Sequence, residues 1–257
     1  MIALLAVALA GDPVHGEALA ALAGCPACHT APDGAPYAGG HAVETKFGTF
    51  FGTNLTPDVE HGLGTWSEAD FVRAMRDGRA PDGRAYWPAF PYPSFTHMDD
   101  ADLADLWAWL RALPPDPRPD TLSVVRPRLR GGLGLWRLIA FRPAREQILD
   151  RGQYLVDAVA HCGECHTPRS SIGAPIGRRY LGGNPDLGAP AIDPAALAGW
   201  SEGDVVTFLE SGMTPEGDVT GGEMRRVVRD GTSRLSEDDR RAIAGWLLAP
   251  EPPPARR

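Results

Sequence analysis

Apolar residues recur at helical spacing ahead of two short cysteine-bearing stretches: Leu19 and Leu22 before Cys25, and Tyr154, Leu155 and Val159 before Cys162. That spacing predicts helices with one buried face. Two further helices are predicted by their starts. Ser67 with Asp70, and Ser201 with Asp204, place a hydroxyl three residues ahead of a carboxylate, close to the order in which a capping box satisfies orphan N–H groups. A last helix in each half begins near Asp99 or Ser236 and stops before a proline cluster at Pro114 or Pro250, because the proline ring cannot continue a helix. Glycine- and proline-rich loops separate these segments. No stretch alternates convincingly enough for a sheet, so the predicted fold class is all-α.

The helical pattern is written twice. "TWSEAD" at Thr65 and "GWSEGD" at Gly199 align with Trp66 and Trp200 a distance of 134 residues apart (200 − 66). At the same offset Gly78, Pro81 and Gly83 fall on Gly212, Pro215 and Gly217. "HGEALAALAGCPACHT" matches "RGQYLVDAVAHCGECHT" with one residue inserted, and "MDDADLADLWAWL" matches "LSEDDRRAIAGWL". Self-similarity at a nearly fixed offset marks a tandem duplication. The expected organisation is a domain over 11–113, a Pro/Arg/Gly-rich linker over 114–145, a second domain over 146–249 and a tail over 250–257.

Composition narrows the setting. With 257 residues and 43% hydrophobic content, the chain can supply a core for each of two small domains. Its net charge of −8 argues against nucleic acid as a partner. "MIALLAVALAG" has the short apolar run and small-residue end of a secretory signal without the basic start, so residues 1–10 are read as a signal remnant and the chain as periplasmic. No later stretch approaches the ~20 apolar residues of a membrane span. Membrane contact is therefore expected only through a partner.

All four cysteines sit in "CPACHT" and "CGECHT". A zinc site built from both pairs does not call for a histidine directly after each second cysteine, and a thioredoxin-like motif needs a βαβ context that is absent here. C-x-x-C-H reads instead as c-type haem attachment: two thiols bond the porphyrin and the histidine meets the iron. Cys25, Cys28 and His29 are candidates for one covalently bound haem c, and Cys162, Cys165 and His166 for a second.

The residues around these motifs resemble the class I cytochrome c fold, and more closely the cytochrome subunits of bacterial membrane-bound alcohol and gluconate dehydrogenases. The resemblance rests on "GTNLTPDVEHGLGTWSEADFVRAMRDGRAPDGRAYWPAFPYPSF", "RGQYLVDAVAHCGECHTPRS" and the linker "VRPRLRGGLGLWRLIAF". Those subunits usually carry three such domains and a C-terminal membrane helix, whereas this chain carries two and stops at "PEPPPARR". The resemblance implies a methionine as sixth iron ligand in the loop before each last helix. Met224 in "GGEM" stands there in the second copy; its alternative is a gap-filling core methionine. In the first copy Phe90 falls opposite Met224 and cannot ligate iron. Met98 is the leading substitute, although it aligns with apolar Leu235; His97 and an open site are the other possibilities. Met75 and Met213 are expected to pack, His161 to be a solvated helix-end residue, and Arg169, Arg178 and Arg179 to be solvated unless they meet haem propionates.

Three functional readings follow. The first is a periplasmic dihaem carrier passing electrons from a dehydrogenase to a cytochrome or terminal oxidase. The alternative is a dihaem redox enzyme, peroxidase-like or oxidising a small molecule, with an open first haem. A subunit without independent activity, docked on a membrane-bound complex, is a third possibility.

Overall fold

A computed structural model describes residues 11–126, 131–144 and 149–250; the expected signal remnant and most of the expected tail lie outside the described residues. Helices dominate. In the first half α1 (Pro13–Leu22), α2 (Cys25–His29), α3 (Glu68–Asp77), α4 (Tyr92–Phe95) and α5 (Asp100–Ala112) follow in order. After α6 (Leu133–Ala140), the second half contains α7 (Arg151–Tyr154), which runs on into a π-helical turn over Leu155–Val159, then α8 (Gly163–His166), α9 (Glu202–Ser211), α10 (Gly222–Asp230) and α11 (Glu237–Leu247).

The start signals act as their chemistry dictates. Ser67 and Ser201 cap α3 and α9 in reciprocal capping boxes with Asp70 and Asp204, and both helices end on a left-handed glycine, Gly78 and Gly212. In each half the first helix crosses the last, α1 on α5 and α7 on α11. Glycine makes both crossings possible. A Cβ on Gly16 would lie 2.1 Å from the Asp105 carbonyl oxygen, and one on Gly152 would lie 2.1 Å from that of Ala242. Trp109 and Trp246 stand at the same crossings, where their Cβ atoms would lie 2.8 Å from a Cβ added at Gly16 or Gly152.

The all-α expectation needs correction at two places. β1 (Ala42–Thr45) and β2 (Gly48–Phe51) form an antiparallel hairpin extended by β3 (Val124–Val125), and β4 (Gly182–Asn184) pairs with β5 (Ala189–Ala191). These strands are two to four residues long, too short to display an alternating pattern. The segment expected to link two domains is also more ordered than its composition suggests. It donates β3, is fastened by Asn54 Nδ2 to the Asp116 and Arg118 carbonyls at 2.8 and 3.0 Å, and folds α6 down through Trp136, which is buried against Tyr92 and Phe141.

One hydrophobic core runs through both halves, from Leu19, Leu103 and Leu106 to Leu155, Val159 and Ile243. Polar contacts reinforce the junction. Tyr154 donates its hydroxyl to Asp102 Oδ2 at 2.5 Å and accepts from the Asp99 N–H at 3.2 Å. No helix among the described residues is long and apolar enough to cross a membrane.

Candidate functional site

In a helical turn, positions i, i+3 and i+4 share one face. α2 therefore brings Cys25, Cys28 and His29 to one side, and α8 with its preceding residue does the same for Cys162, Cys165 and His166. None of the four cysteines is held in a disulfide. Each turn is entered through a left-handed residue, Gly24 (φ 66°) in the first and His161 (φ 41°) in the second.

The histidine orientations are set by the small hairpins. His29 Nδ1 lies 2.7 Å from the carbonyl of Thr53, two residues beyond β2, and His166 Nδ1 lies 2.7 Å from the carbonyl of Pro190 in β5. A ring whose Nδ1 donates to a carbonyl keeps Nε2 bare, with its lone pair available to a metal. Burial holds both imidazoles below the ordinary histidine range, against the opposing pull of those carbonyls, so both rings are neutral at pH 7. The hairpin approaches the motif closely enough that a Cβ on Gly52 would lie 1.8 Å from the Cys28 carbonyl oxygen. Thr30 and Thr167, one residue past each histidine, repeat the theme: their hydroxyls accept from the backbone N–H of Tyr37 and Leu181 at 3.0 and 3.1 Å.

Before haem is attached, the thiols are kept protonated. Burial, with Cys28 nearby, pushes Cys25 up to about 12, and burial followed by Asp157 does the same to Cys162. Cys28 is raised by burial, then by the nearness of Cys165 and Glu223; Cys165 is raised by burial, then by Glu164, and Glu223 also acts on it. The segments that lead into the two motifs touch one another. His161 Nε2 ties them from behind at 3.0 Å from the Ala23 carbonyl oxygen, and its ring meets Phe95 edge-on at 5.3 Å.

Met98 and Met224 occupy different settings. Met98 is 1% exposed, between α4 and α5, in the core to which Cys25 and Phe90 also belong, and Arg76 donates to its carbonyl at 2.7 Å. Phe90, opposite Met224 in the repeat, is held among Tyr86, Tyr92 and Phe95 with ring centroids 5.7 to 6.2 Å away. Met224 is half-buried in the first turn of α10, a helix where a loop was expected.

Three other expectations change. His161 is not a solvated helix end but a half-buried tie between the motifs. Arg169 is engaged by Glu164, at 2.5 Å to Oε2 and 2.8 Å to its carbonyl, while Ser94 of the first half donates to Glu164 Oε1 at 3.1 Å. Met213 is 46% exposed rather than packed. Met75 is buried in α3 as its spacing suggests, and Arg178 and Arg179 face solvent. Thr53 and Pro190 escape a reading of side chains because they act through backbone carbonyls.

The donor set fits covalent haem twice over: paired thiols on one face, and a neutral imidazole with Nε2 bare. The family model described as cytochrome c matches residues 14–114. A diheme cytochrome c-type protein of Cereibacter sphaeroides is 43% identical, over 93% of this chain and 86% of that protein. The cytochrome c subunit of a quinone alcohol dehydrogenase from Gluconobacter oxydans is 39% identical, over 91% of this chain and 53% of the subunit. The gluconate 2-dehydrogenase cytochrome c subunit of Pantoea cypripedii is 37% identical, over 91% of this chain and 58% of the subunit. This chain therefore spans little more than half of those two subunits. It belongs to the cytochrome c family, and its cofactors are two covalently bound haem c groups.

Proposed function

We propose that the chain is a periplasmic dihaem electron carrier that accepts single electrons from a dehydrogenase and delivers them to a respiratory acceptor. The observation that carries this reading is the twice-built histidine arrangement, with Nδ1 spent on Thr53 or Pro190 and Nε2 left for iron. Two tandem cytochrome c domains, over 11–113 and 146–249 with a linker over 114–145, each hold one haem. Cys25 and Cys28 anchor the first and His29 ligates it; Cys162, Cys165 and His166 serve the second. When bound, each haem supplies a one-electron iron couple whose potential the axial ligands set.

Met98 and Met224 complete the two sites, and a thioether opposite histidine raises the potential. The complete burial of Met98 supports its assignment, since a buried thioether is shielded from competition by water. The contact between the segments leading into the two motifs, His161 Nε2 to the Ala23 carbonyl oxygen at 3.0 Å, favours short-range electron exchange between the two sites. A dehydrogenase as donor is supported by the likeness to the cytochrome subunits of alcohol and gluconate dehydrogenases.

A potentiometric titration of the loaded protein under carbon monoxide tests the reading. Two one-electron steps, at potentials unchanged by the gas, are expected. A step that moves upward under carbon monoxide marks an open iron and replaces the carrier with the dihaem enzyme, in which Phe90 walls an active first site.

A further inference from the structure

We propose that the exposed face of α6 docks directly on a membrane surface carrying anionic lipids. Leu135, Leu138 and Ile139 are 62%, 74% and 55% exposed, and their spacing puts them on a helical arc of roughly 100°. The other side of α6 is fixed to the protein. Trp136 is buried against Tyr92 and Phe141; Arg137 donates to the Asp77 carbonyl at 2.6 Å and stacks over the Tyr92 and Phe141 rings at 5.1 and 4.9 Å. The apolar stripe is therefore presented outward by a helix that cannot roll over to hide it.

Charge identifies the occupant. Residues 126–145 contain six arginines and neither Asp nor Glu, within a chain of net charge −8. Of these, Arg126 and Arg142 are exposed; Arg128, Arg130 and Arg145 lie outside the described residues and enter only as sequence charge. An apolar helix face of leucine and isoleucine with an exposed arginine at its C-terminal end, Arg142, which donates to the Leu138 and Phe141 carbonyls at 2.9 and 3.1 Å, and further arginines in the flanking sequence is the chemistry of an interfacial helix on anionic lipid, whose charge attracts nearby basic segments. A protein-binding surface is built differently, around buried aromatic and arginine anchors; here the aromatic Trp136 and the central Arg137 are turned inward. The membrane contact is then the chain's own rather than a partner's, and it does not depend on the electron-transfer reading.

Vesicle flotation of the haem-loaded chain, followed by haem absorbance, tests the proposal. Vesicles of phosphatidylglycerol with phosphatidylcholine are compared with phosphatidylcholine alone. The protein is expected to float with the anionic vesicles, to bind the neutral ones more weakly and to dissociate as salt rises. The triple variant Leu135→Ser, Leu138→Ser, Ile139→Ser should lose binding about tenfold or more, with two haems per chain retained. A second variant, Arg126→Glu with Arg142→Glu, leaves the stripe intact and should lose its preference for anionic lipid. No flotation with anionic vesicles, or equal flotation of the wild type and both variants, overturns the proposal. Binding of an acidic protein partner through this stripe, without vesicle binding, overturns it in favour of a protein dock.

Discussion

His29 and His166 show how one hydrogen bond prepares a ligand. Neither ring could present Nε2 reliably if it were free to flip, and the carbonyls of Thr53 and Pro190, each 2.7 Å from Nδ1, remove that freedom. Because these partners are backbone atoms, the preparation depends on hairpin position rather than on any one side chain. Asp239 illustrates a different kind of single-residue contribution. Two hydrogen bonds from Arg151, at 2.6 and 2.9 Å, hold its carboxyl below the ordinary carboxylate range. A carboxylate with a depressed folded pKa contributes stability that is complete above its unfolded value of about 4 and is lost as pH falls through the folded value. The melting temperature of Asp239→Asn should therefore lie below that of the wild type at pH 7. The gap should close as both are measured at pH values progressively below about 4; a gap independent of pH would remove the ion pair as its cause.

At the scale of elements, the helix crossings carry the fold and the hairpins carry the site. Gly152→Ala pushes a Cβ to 2.1 Å from the Ala242 carbonyl oxygen, so α7 and α11 must separate, at a cost of about 1–3 kcal/mol. Gly245 lies in α11 with open space at its Cβ. Gly245→Ala should therefore stabilise by about 0.5–1 kcal/mol through helix propensity. Denaturant midpoints of the two variants should move in opposite directions; movement in the same direction would contradict the crossing geometry. This contrast also marks what the sequence discloses. Helices, capping boxes and the C-x-x-C-H turns are local, and each leaves its signature within a few residues, as with Ser67 and Asp70. The hairpins leave almost none, because strands as short as Gly182–Asn184 owe their shape to pairing across the fold. Met224 differs from the loop position that the resemblance implies, because Gly221 caps and Gly222 begins α10. His161 was hidden because its partner, the Ala23 carbonyl, is 138 residues away.

Over the whole molecule, the two halves share one core, and each C-x-x-C-H turn packs against it through its first cysteine, Cys25 or Cys162. Tyr154 is the clearest polar link between them. Burial, then the hydrogen bond to Asp102, raises its hydroxyl well above the ordinary tyrosine range, so it remains a donor at every working pH. Tyr154→Phe leaves the buried Asp102 without that donor, at a cost of about 1–3 kcal/mol. It should also loosen the coupling between the halves. Denaturant unfolding monitored at the haem bands should then broaden or split, whereas an unchanged single transition would show that the apolar core alone joins them.

Closure of both irons by methionine, as the carrier role requires, can be read from the weak long-red band that methionine sulfur gives with ferric iron, normalised to covalently bound haem. Two haems' worth of the band is predicted, with one lost in Met224→Ala and the other in Met98→Ala. One haem's worth, unchanged by Met98→Ala, would exclude Met98 as a ligand and leave the first iron histidine-ligated or open.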